Sequence, residues 1–565
     1  MPQVKIGDYL FQRLHQLGIR TVFGVPGDYE LALLDLVTDN GLDWKGNPNE
    51  LIASYAADGY ARITGAAAFV TTFGPGELSA YCGMAGHYCE FVPVCHIVGY
   101  PGVPAQKAHM IMHHSLGTGE FDMYEKMAAQ ITAATLVLKN QATAAEDIDR
   151  ILTTMMVESR PVYVGLSVDV GYLEVDNARL KTPLSTELPP NDKSLEADTV
   201  TELRGMLEKA SHPIIIVDGN TVRNNLVVEV AEFTKLTGIA TFTTAMGKGS
   251  VDEDTPTFGG VYSGAGSFPG VKKAVESSDL IFWFGRYGSD FNTGEFTMDV
   301  NEDAVVEFQR FFVKVHGQRI DLKFKYLLGA LVESIRQSPL QKIVKASITW
   351  SPYENNPAAT GKLTQDYLWL ALEKFIKTGD CVITETGTSA YGIVETRFPP
   401  GVLQFNQTIY GSIGYATGAA VGTFQAIKET GKYKRGILIT GEGSLQLTVQ
   451  AFADLLRHSL NPVIFVLNND GYTVERLIHG LHAHYNKVPI WDYGGLAKVF
   501  GPGLPSKYHG PVKTCEQLAS LLASPNFGKG DVFELVEVVL DATDAPLNVR
   551  LCGAAIDEFN KKKQA

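Results

Sequence analysis

The chain has 565 residues, 48 Lys+Arg against 62 Asp+Glu, a formal net charge of −14, 45% apolar and 19% charged residues. This composition excludes a chain that is disordered throughout. The acidic balance excludes the electrostatic footprint of a nucleic-acid binder and gives no attraction to an anionic membrane. At about 150 residues per domain, the length sets a prior of three to four domains. The opening stretch MPQVKIGDYLFQRLHQ lacks a signal-peptide apolar core, and no apolar run reaches the roughly 18 residues of a membrane span. A cytoplasmic protein with neither nucleic acid nor membrane as partner is therefore expected. Cys82, Cys89, Cys95, Cys381, Cys515 and Cys552 form no Cys-x-x-Cys pair, so reduced thiols are expected rather than a metal or disulfide framework.

In chain order, the Pro-rich polar stretches 182–198 and 348–362 read as linkers. They divide the chain into units 1–182, 195–345 and 360–565. The runs VYVGLSV (162–168), PIIIVDG (213–219), LIFWFG (280–285), CVITET (381–386), GILITG (436–441) and PVIFVLNN (462–469) read as strands buried on both faces. In TVQAFADLLRH (448–458), Val449, Phe452, Leu455 and Leu456 share one helical face. Strand–helix alternation predicts an α/β protein of three doubly wound parallel-sheet domains. GAGSFPG (264–270) has the wrong spacing for a dinucleotide fingerprint and no evident preceding strand. It reads as a loop, so neither FAD nor NAD is expected.

The segment GILITGEGSLQLTVQ reads as a strand, a glycine-flanked acidic turn and a helix. Gly441 and Gly443 let the backbone approach a ligand, and Ser444 with the following amides faces the turn, a ready anion site. Glu442 is a hard oxygen ligand. A second strand ends in Asn468-Asn469-Asp470-Gly471-Tyr472, where Asn469 offers an amide oxygen and Gly471 a carbonyl. Together they suggest a divalent cation bridging two phosphates, and Mg²⁺ fits that ligand set.

GEGS followed by NND resembles the diphosphate signature of thiamine-diphosphate enzymes, and FVLNNDGYTVERLIHG resembles their fungal pyruvate decarboxylase branch. The motifs GVPGDYE, NELIASYAADGYARITG, TTFGPGELSA, the His113-His114 pair, TETGTSAYG and YGSIGYATGA extend the resemblance along nearly the whole chain. It implies a pyrimidine-binding, a middle and a diphosphate-binding domain. It also implies thiamine diphosphate and Mg²⁺ as cofactors, with Glu442, Asn469 and Gly471 on the metal. Thr386, Thr388, Gly411, Ser412, Ile413, Gly443, Ser444, Asn469, Gly471, Tyr472, Thr473 and Val474 fall where members contact the cofactor, Ile413 as the apolar shelf beneath it.

The same resemblance implies that Glu50 bonds the pyrimidine nitrogen, and shielding from water raises the pKa of such a carboxyl. Asp28, His113, His114 and Glu475 map onto substrate-side residues. Loss of CO2 leaves an enamine that must be protonated, so acids and imidazoles are needed nearby. Asp28 and Glu475 are expected to deliver protons and place the carboxylate, with the imidazoles holding Asp28. The family pattern implies a homo-oligomer, a dimer with shared sites and a dimer of dimers. Small residues Ala53, Ala56, Ala57 and Gly59 are expected at a subunit boundary.

The implied reaction is non-oxidative decarboxylation of a small 2-oxo acid, pyruvate first, with indolepyruvate or phenylpyruvate as the alternative. Rivals are a carboligase or oxidase on the same cofactor and a catalytically weak scaffold or polymer subunit. Three departures stand out. Glu442 replaces the usual Asp and moves the carboxylate by about 1.5 Å. Asn220 and Thr221 stand where some fungal relatives carry an activating cysteine, and Met156 stands where relatives often place a tyrosine. Ile556 and Phe559, in the C-terminal tail, are expected to pack over the active site.

Overall fold

The computed structural model describes residues 3–353 and 356–554, so Ile556 and Phe559 lie outside the described residues. The strands Ala67–Thr72, Val94–Tyr100 and Val162–Ser167 are buried along their whole length, as a sheet between two helix layers demands. They join Thr21–Gly24, Asp43–Gly46 and Ala134–Leu138 in one parallel six-stranded sheet. Its spatial order is second strand, first, third, fourth, sixth, fifth.

Asp380–Thr384, Leu403–Phe405, Arg435–Gly441, Val463–Asn468, Ser506–Val512 and Phe533–Val539 repeat that order in a second parallel sheet. The two outer sheets thus share one topology. In both, strand order reverses between the first and third strands. The loops at the C-terminal ends of these strands flank the crevice where open α/β sheets take ligands.

The middle sheet is mixed. Phe258–Val261, Ala240–Thr243, Pro213–Val217, Leu280–Phe284 and Val305–Gln309 are parallel, and Phe312–Val315 with Gln318–Ile320 adds an antiparallel edge. The expectation of a wholly parallel sheet fails at that edge. His316 (φ +50°) and Gly317 (φ +72°) make the tight turn that reverses the chain there.

Three local expectations also need correction. The stretch read as a linker to 198 already carries a helix from Lys193, because the Asp192 side chain caps the amides of Ser194 and Leu195. The helix read over 448–458 is broken into Glu442–Thr448 and Ala451–Arg457. GAGSFPG follows the strand Phe258–Val261, forms a 3₁₀ turn over Gly264–Gly266, and opens a helix at Pro269.

The helix Glu50–Thr64 starts on a capped turn, with Asn49 accepting from the Ile52 amide at 2.8 Å, and ends at Gly65 (φ +96°). It packs on Tyr415–Thr430, the helix in the equivalent place of the last sheet. The small residues expected at a subunit boundary therefore pack within one protomer. A Cβ on Gly422 would stand 1.7 Å from the Ala56 carbonyl oxygen, and one on Gly59 2.0 Å from that of Ala419. Polar contacts pin the pair. Tyr415 donates to Asp58, Tyr60 donates to Glu429 at 2.6 Å, and Asn47 donates to Asp454 at 2.8 Å. One hydrophobic cluster runs through this joint, from Tyr55, Ala56 and Tyr60 to Tyr415, Ala419 and Ala420. None of the described helices is long and apolar enough to cross a membrane.

Gly422→Ala is expected to cost about 3 kcal/mol, because backbone on both sides blocks relief of the overlap. Gly205→Ala is the control: nothing lies within 4 Å of its added Cβ, and in mid-helix it gains about 0.5 kcal/mol. Melting temperatures of the two variants should move in opposite directions.

Candidate active site

The loop after Thr21–Gly24 presents Asp28. The segment before Met123–Ala128 presents His113 and His114. His113 Nε2 stands 2.6 Å from Asp28 Oδ2, and His114 Nε2 3.9 Å from Oδ1. The two imidazoles lie 4.8 Å apart, centroid to centroid. His114 has φ +64°, and a Cβ on Gly74 would stand 2.0 Å from its carbonyl oxygen, so Gly74 makes room for that strained turn.

Tyr29, which the sequence did not single out, orients His113. Its ring stacks on the imidazole at 4.8 Å and 17°, with its hydroxyl 3.3 Å from Nδ1. Glu50 is the first residue of its helix and half-buried, and burial raises its pKa. Its Oε1 lies 3.0 Å from where a Cβ on Gly76 would be.

The second cluster sits at the matching crevice of the last sheet. Glu442 opens a helix directly after Arg435–Gly441 and is buried. Its Oε1 accepts from the Gly471 amide at 2.6 Å and the Asn469 amide at 3.2 Å. Burial still pushes its carboxyl up to about 7, despite these donors. The extra methylene does not turn the carboxylate away from Asn469 and Gly471.

The side-chain amide of Asn469 faces Glu442. It stands 2.8 and 3.0 Å from the two carboxylate oxygens and 3.1 Å from the Gly471 carbonyl oxygen. With its nitrogen inward the amide donates hydrogen bonds to these three oxygens. With its oxygen inward, Glu442, Asn469 and Gly471 would offer hard oxygens of the kind a divalent cation takes.

Gly443 lies under the Tyr472 ring, where a Cβ would meet it at 2.7 Å. Ser444 is buried beside it. Gly471 (φ +119°) and the Tyr472 amide both press on the Asn486 carbonyl, at 2.0 Å for an added Cβ and 2.9 Å for the hydrogen bond. Thr473 donates to the Ala542 carbonyl at 2.9 Å; Val474 and the exposed Glu475 follow in the same helix, Thr473–Ile478.

Thr386 and Thr388 flank the turn into the short helix Thr388–Gly392. Gly411 (φ +59°), Ser412 and Ile413 precede the Tyr415 helix. Ser412 bonds the Tyr55 hydroxyl. Ile413 is half-exposed and enters no hydrophobic cluster among the described residues. Buried Glu385, also not singled out, clamps these loops by accepting from the Thr386 amide at 2.9 Å and the Ala416 amide at 3.1 Å. Within one protomer, among the described residues, no hydrogen bond or ion pair joins Glu50, Asp28 or the histidines to Glu442, Asn469 or Glu475.

Three profiles of thiamine pyrophosphate enzymes match the chain: the N-terminal TPP binding domain over residues 4–122, the central domain over 200–324 and the C-terminal TPP binding domain over 386–520. The chain is 42% identical over 553 residues to a pyruvate decarboxylase of Aspergillus terreus, covering 97% of this chain and 96% of the relative. It is 42% identical to pyruvate decarboxylase isozyme 3 of Saccharomyces cerevisiae, covering 97% of each chain. The Aspergillus fumigatus pyruvate decarboxylase is 41% identical, over 99% of this chain and 98% of its own. The chain belongs to the pyruvate decarboxylase family of thiamine pyrophosphate enzymes.

In this member of the pyruvate decarboxylase family, one of the departures, Met156, lines a further cavity. It measures about 360 Å³ at the junction of the three units and is lined by Met156, Arg62, Arg223 and Arg310, with no cysteine among its lining residues. Arg223 is paired to buried Glu90 at 2.9 Å.

The His113 geometry fixes one proton. A carboxylate at Nε2 requires a proton there, while the Tyr29 hydroxyl lies 3.3 Å from Nδ1 and 3.2 Å from the His113 carbonyl oxygen, to which it donates. Nitrogen NMR of the imidazoles at about neutral pH should show His113 as the Nε2–H form, and Asp28→Ala should release it to a mixture.

Proposed function

We propose that the chain decarboxylates pyruvate non-oxidatively to acetaldehyde and CO2, in the cytoplasm and in the service of alcoholic fermentation, with thiamine diphosphate and Mg²⁺. Full-length identity of 40–42% to pyruvate decarboxylases carries the reading. The convergence of Glu442, Asn469 and Gly471 at one strand edge supports the metal. Glu442, Asn469 and Gly471 would hold Mg²⁺. Gly443, Ser444, Tyr472, Thr473 and Val474 would hold the diphosphate. Thr386, Thr388, Gly411, Ser412 and Ile413 would cradle the thiazolium side, and Glu50 would hold the pyrimidine nitrogen. Thiamine diphosphate, when bound, supplies the electron sink into which the carboxylate carbon's bonding electrons pass.

The chain's own residues manage charge and protons. Pyruvate anion plus one proton gives acetaldehyde and CO2, so each turnover takes up a proton. The Asp28–His113 pair, with Tyr29 fixing the ring, stands ready to exchange it at His113 Nε2, and Glu475 supplies a second acid. As the family resemblance implies, each complete site takes Glu50 and Asp28 from one copy and Glu442 and Glu475 from its neighbour. A dimer with two shared sites, paired into a homotetramer, follows. The functional units are 1–182, 195–345 and 360–565.

Protein supplied with thiamine diphosphate and Mg²⁺ should release CO2 from pyruvate without an electron acceptor, and alcohol dehydrogenase should detect the acetaldehyde. Chelating the metal should abolish turnover, and Glu50→Gln should lower kcat about 100-fold or more. Faster turnover of phenylpyruvate than of pyruvate would overturn the substrate assignment.

A further inference from the structure

Glu30 lies two residues beyond Asp28 and has 0% exposed surface, yet neither of its carboxyl oxygens has a hydrogen-bond partner. Glycines make its space. A Cβ on Gly27 would stand 2.8 Å from Oε1, and one on Gly99 2.5 Å from Oε2. Thr72 neighbours both this carboxyl and Glu50. Its Oγ1 stands 2.7 Å from the same Gly27 point, and its methyl carbon and Glu50 Oε1 both stand 3.0 Å from a Cβ on Gly76. The Thr72 hydroxyl is itself buried without a partner.

The charged groups facing Glu30 are Asp28 on its own loop and Glu50 at the head of its helix. Gly27, Thr72 and Gly99 carry no charge, and His113 and His114 reach Asp28 instead. Among the described residues no ion pair reaches Glu30. An ionised Glu30 would be a third negative charge in a dry site, with only the Gly27 backbone and the Thr72 hydroxyl near enough to offset part of the cost. Burial accordingly pushes its carboxyl up to about 8, and Asp28 and Glu50 push the same way.

We propose that Glu30 is a positioning residue of the decarboxylation site. As a neutral acid behind Asp28 and Glu50, it spares the wall facing an anionic 2-oxo acid a further negative charge, and its ionisation to solvent sets the alkaline limit of the reaction. This rests on the decarboxylase reading. It adds a third carboxyl, acting through Asp28 and Glu50, to the groups that control charge at the site.

The test is kcat/KM for pyruvate against pH in the holoenzyme, for wild type, Glu30→Gln and Glu30→Met. The readout is the position of the alkaline limb, not its height. Wild-type kcat/KM should fall above an apparent pKa near 8. Both uncharged variants should carry the limb upward by about one pH unit or more. A limb that stays put in both, or moves in only one, overturns the proposal, since charge alone is common to the two changes.

Melting temperature against pH gives a readout independent of turnover. Glu30's folded pKa is raised above its unfolded value of about 4.3. Its contribution to stability is therefore full below that value and is lost as pH rises toward about 8. Wild type should lose melting temperature over that range relative to Glu30→Gln. Parallel curves would mean an ionised Glu30 and sink the idea. A wild type inert toward pyruvate at every pH, with diverging melting curves, would instead overturn the decarboxylase reading and this inference with it.

Discussion

The structure hangs on the close approach of two helices. At Gly59, Gly418 and Gly422 the Glu50–Thr64 and Tyr415–Thr430 helices lie so near that an added Cβ would overlap a neighbouring backbone oxygen or the Tyr55 side chain. Hydrogen leaves room for that contact and a methyl does not. The two helices occupy equivalent places in two sheets of the same topology, and each carries site residues at its N-terminal end. Glu50 begins one. Gly411, Ser412 and Ile413 lead into the other, tied to the first through the Ser412–Tyr55 hydroxyl contact. Fixing the helix pair fixes how each protomer presents its two sets of candidate residues.

Around that joint the protein gathers acids that water does not reach. Glu385 and Glu442 carry carboxyls pushed up to about 8 and about 7 by burial, although backbone amides donate to both. The cation proposed among Glu442, Asn469 and Gly471 would offset that cost, whereas Glu385 has backbone amides alone. The Asp28–His113 pair is different, being half-exposed and open to substrate. The buried acids lie out of reach of water, and the exposed pair is the one the proposed reaction would use to exchange protons.

Much of this was legible in the sequence, for physical reasons. Strands such as Pro213–Val217 and Val463–Asn468 are buried on both faces and so read as unbroken apolar runs. The convergence of Glu442 with Asn469 and Gly471 follows from two adjacent parallel strands ending at the same edge. The break between Thr448 and Ala451 was hidden because Val449 stays buried and the apolar period runs through it. The start of the Lys193 helix was hidden because its cap, Asp192, is one polar residue in a polar run. The small residues of the Glu50 helix announced close packing but not which helix they meet. Tyr29 and Glu30 gave no signal in GVPGDYE, since stacking on a distant imidazole, or burial without a partner, leaves no trace in spacing.

The central claim is that each coenzyme is gripped by two different copies of the chain. Two inactive variants, Glu50→Gln and Asn469→Ala, can be dissociated, mixed and reassembled. Shared sites predict recovery of about a quarter of wild-type pyruvate turnover, because half the dimers are mixed and each mixed dimer holds one intact site. No recovery in a verified mixed dimer would mean that each protomer completes its own site, and would contradict the account.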